Sequence, residues 1–231
     1  MTTTPAVRDP RGRGWGYRLT AAASVVLGLA AAGCANSNNS STPSVGDAPT
    51  AVALSTAAGC HKVSYPLVGI PRRTPGEPIM QIPKPPGWEV VPIDEGDQSA
   101  RFELANPALT ANETAPNAVV VLRSEPGHRP AQSIFDDARS ELINMGFNEV
   151  QSESNAATVC GQPAEIGEYT TTMEGMSYSV FTKLLMVVAE AENETYIAAL
   201  FVGTTEPDNP IYQRDSQAIF DGFLFFPPDS P

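Results

Sequence analysis

Residues 19–34, LTAAASVVLGLAAAGC, constrain this chain more than any other stretch, because they decide on which side of a membrane the rest of it folds. The segment before them is basic: four arginines, Arg8, Arg11, Arg13 and Arg18, stand against Asp9. A basic segment, a short apolar run and a small-residue cleavage site together form a secretory signal peptide. The apolar run is shorter than the ~20 residues of a membrane-spanning helix. The sequence therefore predicts export, with residues 1–33 as the signal peptide.

The cysteine that follows Ala31, Ala32 and Gly33 resembles the cysteine of a bacterial lipobox. The resemblance implies cleavage between Gly33 and Cys34 and acylation of Cys34 by palmitate-like chains. One acyl chain holds a protein to a bilayer only marginally, whereas two or more hold it firmly. The predicted location is the outer face of the cell membrane. The alternative is an ordinary secreted protein in which Cys34 is a free thiol.

The charge of the exported chain is strongly negative. Without residues 1–33, ten basic and 25 acidic residues remain, a formal charge of −15. Such a surface repels phosphate backbones, so nucleic acid is not an expected partner. Residues 34–59 combine the acylated cysteine with a Ser-, Thr-, Asn- and Pro-rich stretch that predicts a flexible tether. Residues 60–231 are the predicted globular domain.

Two cysteines remain once Cys34 is acylated, and an extracytoplasmic compartment allows them to pair. A disulfide between Cys60 and Cys160 would close a loop of about 100 residues and contribute roughly 4 to 5 kcal/mol in the chain-entropy model. A metal site is the rival interpretation of these cysteines with His61 and His128. No C-x-x-C or H-x-x-x-H spacing supports it, so no metal and no cofactor is expected.

Hydrophobic periodicity predicts an α+β fold with a largely antiparallel sheet. The proline-rich turn at residues 83–87 is predicted to join two short strands, because Pro85 and Pro86 restrict φ and Gly87 permits a positive φ. The remaining predicted strands cover residues 101–104, 119–122, 164–173, 176–189 and 195–202, with a hairpin turn at Glu174 and Gly175. Helices are predicted at residues 130–145 and 212–223. The strand pattern resumes after Phe147, and with one strand there, for which no range is given, the predicted order is four strands, a helix, four strands and a closing helix.

Catalytic motifs are weak in this sequence. The nearest approach to a nucleophile elbow is residues 175–179, but Ser179 replaces the final glycine and a predicted strand follows where a helix is required. Phosphate-binding glycine loops are absent. Residues 94–97, DEGD, lack the ligand spacing of an EF-hand and predict a solvated turn. The chain is therefore expected not to be an enzyme, and an unrecognised hydrolase that uses Ser177 and His128 is the opposing hypothesis.

The motif at residues 82–88, IPKPPGW, resembles the LpqN/LpqT family of mycobacterial and related actinobacterial lipoproteins. With the strand and helix order, the resemblance extends from residue 76 to residue 226. It implies a Mog1/PsbP-like α/β/α sandwich in which helices flank a central antiparallel sheet. It also implies a non-enzymatic protein of the mycobacterial cell envelope, linked to envelope lipids and to other proteins. The resemblance supplies no catalytic residues.

Two functions are expected from these features. The first is lipid binding, in which an apolar pocket holds a cell-envelope lipid and helps its traffic. The residues that we expect to face such a ligand are Trp88, Met173, Met176, Tyr178, Phe181 and Met186, and core packing is the alternative role for each. The second is a protein–protein interaction module that docks onto an envelope transporter or a host protein.

Replacing Cys34 tests the predicted anchor. We expect Cys34→Ser to release the protein from the membrane fraction, because the serine hydroxyl receives no acyl chain and the remaining surface is acidic. Cell fractionation with immunoblotting measures the distribution, and Cys60→Ser is the matched control. A Cys34→Ser protein that stays in the membrane with residues 1–33 removed would contradict the lipobox.

Overall fold

The computed structural model describes residues 59–93, 99–150, 155–172 and 177–228. Within these ranges the elements are β1 (Leu67–Gly69), β2 (Ile79–Pro83), β3 (Glu89–Val91), β4 (Ala100–Ala105), β5 (Asn117–Pro126), α1 (Ala131–Asn144), β6 (Asn148–Glu149), β7 (Asn155–Val159), β8 (Gln162–Thr171), β9 (Val180–Glu190), β10 (Glu194–Thr204), α2 (Pro210–Asp221) and β11 (Leu224–Phe226). Five strands precede α1, five lie between the helices, and one follows α2.

The strands form two sheets. The larger sheet has the order β3-β4-β5-β10-β9-β8-β6, and β7 pairs with β8 along the same edge as β6. The smaller sheet has the order β1-β2-β11. Every pairing among the described strands is antiparallel, including the long hairpin of β8 and β9 and that of β9 and β10.

The central strands bury both of their faces. Side chains alternate across a strand, so neighbours in β9 point to opposite sides of the sheet. On one side lie Leu184, Met186 and Val188; on the other lie Leu185, Val187 and Ala189. All six are buried. A strand that is apolar on both faces must be covered twice, which explains the continuous apolar sequences of β9 and β10.

One helix covers each face of the larger sheet. The buried side chains of α1 are Ile134, Phe135, Ala138 and Leu142, which recur at three- and four-residue spacing. On the opposite face, α2 contributes Tyr212, Ile219 and Phe220, and the smaller sheet completes this layer with residues such as Met80, Ile82 and Phe225. The expected α+β class and the α/β/α sandwich are confirmed.

Both helices lie close to their predicted ranges, but four strands had no predicted range. The helices begin and end within two residues of the bounds expected from sequence. Three of the missed strands, β1, β6 and β11, have only two or three residues, too few to show a period. Phe223 lies between α2 and β11 and is buried, so this apolar residue extended the predicted helix beyond Asp221. The predicted hairpin turn at residues 174–175 lies outside the described residues.

The proline-rich turn joins two sheets. The predicted short strands are β2 and β3, which flank the turn, but β2 belongs to the smaller sheet and β3 to the edge of the larger one. Gly87 has φ +83°, and the main-chain N–H of Trp88 donates to the Pro85 carbonyl at 3.2 Å. The turn therefore moves the chain from one layer of the sandwich to the other.

Trp88 connects this turn to α2. The side chain is 1% exposed, and its indole Nε1 donates to Oδ2 of Asp215 at 3.0 Å. Asp215 is fully buried, and Oδ1 accepts from Arg214 at 2.8 and 2.9 Å. Lys84 Nζ donates to the Trp88 carbonyl at 3.3 Å. A buried carboxylate requires donors, so the tryptophan of the IPKPPGW motif positions α2.

We expect Trp88→Phe to reduce the free energy of unfolding by about 1–3 kcal/mol, because it removes one donor from the buried Asp215 carboxylate while keeping an aromatic ring. Asp215→Asn should restore part of this loss in the double variant, since a neutral amide needs less compensation. Urea denaturation measures both. Gln132→Ala, on the exposed surface of α1, is the control and should change stability by less than about 0.5 kcal/mol. Additive losses in the double variant would contradict a direct bond.

Candidate functional site

A cleft of about 310 Å³ opens between the C-terminal half of α2 and the sheet at β7, β8 and β9. Its apolar lining consists of Ala157, Val159, Ile166, Leu185, Phe220 and Phe223. Its polar lining consists of His61, Thr158, Lys183, Gln217 and Asp221, and Gly59 and Cys160 complete the rim. Six of the 13 lining residues are apolar, so the lining is mixed.

The cleft exists because α2 ends before it covers the last strands of the sheet. Ile166 of β8 and Leu185 of β9 are paired across the two strands, and both point to the face that carries α2. Asp221 is the last residue of α2, and the chain then turns at Gly222 into β11. A Cβ on Gly222 would lie 2.5 Å from Pro83 and from Val63, so this turn is pressed against the smaller sheet. The outer end of the sheet therefore remains accessible.

A tight hairpin forms the outer rim. The strands β7 and β8 are joined by Cys160 and Gly161, with φ +49° and +83°. Two successive positive φ values are typical of the two-residue turns that match the twist of a hairpin. The disulfide joins Cys160 to Cys60, with a Cα–Cα distance of 4.2 Å. A Cβ on Gly59 would lie 2.9 Å from the Gly161 nitrogen, so only glycine allows this contact.

Charges are paired at the inner end of the cleft. Lys183 Nζ lies 3.4 Å from Oε1 of Glu168, and the two side chains are 25% and 24% exposed. The same ammonium group lies 5.9 Å from the centre of the Phe220 ring, within cation–π distance. Gln217 donates to Asp221 at 2.8 Å on the exposed side of α2. A ligand in the cleft would thus contact apolar side chains, with the Lys183 ammonium group and the carboxylates of Glu168 and Asp221 nearby.

Two catalytic arrangements are relevant to the described residues, a metal centre and a serine–histidine pair. Those residues contain no cluster of three or more His, Cys, Asp or Glu that is suited to a metal ion. His128 Nδ1 lies 3.3 Å from Glu190 Oε2, and both side chains are more than half exposed. Ser177 makes no hydrogen bond to either histidine among the described contacts. The geometry around these residues is that of surface polar groups.

The structure separates the residues that sequence predicted to face a ligand. Trp88 and Met186 are buried in cores on opposite faces of the sheet. The Tyr178 hydroxyl hydrogen-bonds Thr114 Oγ1 at 3.3 Å, and Phe181 is half-buried near the start of β9. None of these four lines the cleft. Cys34, Gly33, Met173 and Met176 lie outside the described residues.

Sequence reasoning missed most of the cleft lining but not its rim. The disulfide between Cys60 and Cys160 agrees with the prediction. The period-two pattern of β9 placed Lys183 opposite the Met186 face, which is correct, and this lysine lines the cleft. No comparable pattern indicated Phe220, because an aromatic residue in a predicted helix is expected to lie in the core.

A family comparison agrees with this architecture. The family model described as "Probable lipoprotein LpqN" matches residues 67–225, more than half of the chain. The chain belongs to the LpqN lipoprotein family. No match was found among curated proteins. No helix in the described ranges is long and apolar enough to span a bilayer.

One solved structure shows the same fold. The crystal structure of LpqN from Mycobacterium tuberculosis, which is described as involved in cell envelope biogenesis, matches with a TM-score of 0.58 at 17% identity. The match covers 70% of this chain and 91% of that one. A protein of unknown function, PA94 from Pseudomonas aeruginosa, matches with a TM-score of 0.43 at 15% identity, over 67% and 94% of the two chains. Cyanobacterial PsbP from Synechocystis matches with a TM-score of 0.44 at 12% identity, over 69% and 92%.

Two buried tyrosines predict how stability depends on pH. Burial raises the pKa of Tyr169 to about 12. Burial, with the Glu168 carboxylate adding to it, also raises the pKa of Tyr212, whose hydroxyl donates to the Val202 carbonyl at 3.2 Å. An acid with a raised folded pKa stabilises the protein below its unfolded pKa of about 10, and the contribution is lost as the pH rises through the folded value.

We therefore expect the free energy of unfolding to decrease as the pH rises from about 10 to about 12. Tyr169→Phe should make this decrease shallower, because one late-ionising phenol is gone. Urea denaturation at a series of pH values measures the free energy of unfolding of both proteins. The difference between the variant and the wild type at about pH 8 is the baseline. Parallel curves for the two proteins above pH 10 would contradict the assignment.

Proposed function

We propose that this protein is a non-enzymatic, lipid-anchored lipoprotein of the cell envelope whose cleft binds the apolar part of an envelope lipid and helps envelope biogenesis. The observation that carries the proposal is the open cleft beside α2, which Ile166, Leu185 and Phe220 line together with polar groups. Membership of the LpqN lipoprotein family supports the envelope location. The role described for the Mycobacterium tuberculosis LpqN supports the biological setting.

The size of the cleft limits what it can hold. Ligand pockets usually measure about 300–1,000 Å³, and this cleft lies at the lower end. It therefore accommodates a segment of one acyl chain beside Ile166, Leu185 and Phe220 while the rest of the lipid stays outside. Burial of about six methylene groups contributes ~5 kcal/mol before association costs. Such binding is weak by itself.

The predicted anchor compensates for weak binding. An acylated Cys34 keeps the domain at the bilayer, and about 25 tether residues have a root-mean-square reach of ~25–30 Å. The effective lipid concentration around the cleft is then in the millimolar range or above. Weak capture and rapid release suit a protein that helps lipid traffic rather than storing lipid.

A bulky side chain in the cleft tests lipid binding. Ala157 of β7 lines the cleft, whereas Ala156 is exposed on the other face of the same strand. We expect Ala157→Phe to weaken binding of a dansyl-labelled fatty acid by about tenfold, which corresponds to ~1.4 kcal/mol, because the ring fills the space of the acyl chain. Ala156→Phe is the matched control and should leave binding unchanged.

Native mass spectrometry of the wild-type protein extracted from its own envelope provides the second measurement. We expect a population with bound lipid in the wild type and in Ala156→Phe, and a reduced population in Ala157→Phe. An unliganded mass for all three proteins under gentle conditions would contradict lipid binding, as would equal loading of the two variants.

The second candidate function, docking onto an envelope protein, is favoured by the edge strand β3. This strand ends the larger sheet, and Val90 at its centre is 53% exposed. An exposed apolar edge strand can pair with a strand of another chain. In-cell crosslinking with Val90→Lys as the disrupting variant tests this function. Equal crosslinking patterns for the wild type and Val90→Lys would contradict docking at β3.

A further inference from the structure

One side of the cleft is joined to the β7–β8 turn by a covalent bond. Gly59 and His61 form this side, which we call the N-terminal wall (Gly59, Cys60, His61 and Lys62). The Cys60–Cys160 disulfide joins it to the turn between β7 and β8. Following the chain from there, the first main-chain hydrogen bond to a sheet occurs at Pro66, whose carbonyl accepts from Lys84 N–H at 2.8 Å.

Two contacts locate the segment between the disulfide and this hydrogen bond, and both lie beyond the N-terminal wall: Val63 packs on Gly222, and the Tyr65 side chain hydrogen-bonds Arg214 of α2. Val63 lies against Gly222, where an added Cβ would meet both of its methyl groups within 2.8 Å. Val63 therefore holds the chain at the end of α2, one residue beyond the N-terminal wall. In the described part of the chain, no hydrogen bond or ion pair involves the side chains of His61 and Lys62. The disulfide and the close approach of Gly59 to Gly161 hold the wall to the β7–β8 turn.

We propose that the Cys60–Cys160 disulfide is a redox switch for the cleft. The oxidised form holds the N-terminal wall against the β7–β8 turn and completes the binding site. Reduction releases residues 59–62, exposes the apolar floor to water and weakens binding. The part of this inference that concerns affinity rests on the proposed function, whereas release of the wall does not.

The reductant is a dithiol protein or a small dithiol. Its thiolate attacks one sulfur of the disulfide and forms a mixed disulfide, and the other cysteine leaves as a thiolate that takes up a proton. The second thiol of the reductant then displaces the first cysteine. The products are the thiols of Cys60 and Cys160 and the disulfide of the reductant, so two electrons and two protons are transferred.

Two arguments support coupling between the redox state and ligand binding: the disulfide is accessible, and the two equilibria are thermodynamically linked. Both cysteines are half-buried rather than enclosed, and Cys160 lines the cleft, so a bound acyl chain lies beside the bond that the reductant must reach. If the oxidised form binds a ligand more tightly, the ligand must favour the oxidised form by the same factor. Measurements of the ligand affinity and of the thiol–disulfide equilibrium should therefore give the same coupling free energy.

The experiment uses the exported chain, residues 34–231, with Cys34→Ser to remove the third thiol. Hydrogen–deuterium exchange of residues 59–66 is measured before and after reduction with dithiothreitol, together with the affinity for a dansyl-labelled fatty acid. We expect faster exchange in this segment on reduction, no change in β9 or β10, and a dissociation constant that rises about tenfold. Saturating fatty acid should shift the thiol–disulfide equilibrium towards the oxidised form by the same factor.

The control protein carries Cys60→Ser and Cys160→Asn, since asparagine tolerates the positive φ of the turn. It should behave like the reduced protein and should not respond to dithiothreitol. Unchanged exchange of residues 59–66 on reduction would overturn the switch. Faster exchange with the same affinity in both redox states would also overturn it. Faster exchange without fatty-acid binding in either state would instead overturn the proposed function and leave release of the wall established.

Discussion

Burial of β9 and β10 on both faces is the constraint on which the structure depends. These two strands are apolar almost without interruption, and their side chains alternate between two cores. A single sheet with one solvated face would expose half of them, at a cost of about 25 cal/mol for each Å² of apolar surface. The chain therefore needs two covering layers, and α1 and α2 with the smaller sheet provide them.

The two layers are built differently, and this difference creates the cleft. On one side α1 packs along the sheet by itself. Its Arg139 forms an ion pair with Glu165 of β8 at 2.8 Å. On the other side α2 shares the face with β1, β2 and β11, and Trp88 fixes it through Asp215. The end of α2 therefore leaves the cleft open beside β7, β8 and β9.

Sequence patterns predicted the elements that are long and periodic. Both helices, the strands at the centre of the sheet and the α+β class follow from hydrophobic spacing, which acts over neighbouring residues and is visible in any window of ten or more. The residues that face a ligand are harder to predict, because a methionine or an aromatic residue has the same sequence signature in a core and in a pocket. Met186 lies in the core on the α1 side, whereas Phe220 belongs to the core on the α2 side and also lines the cleft.

The amino-acid sequence by itself determined the signal and acylation prediction, the acidic surface, the pairing of Cys60 with Cys160 and the need for a sheet covered on two sides. Each of these depends on residue type or local order. Only the tertiary structure decided that the PPGW turn crosses between sheets, that Trp88 reaches a buried carboxylate 127 residues away in sequence, and that the disulfide forms one side of a cleft. The physical reason is that these features arise where distant segments meet, and the distance between such segments is set by packing.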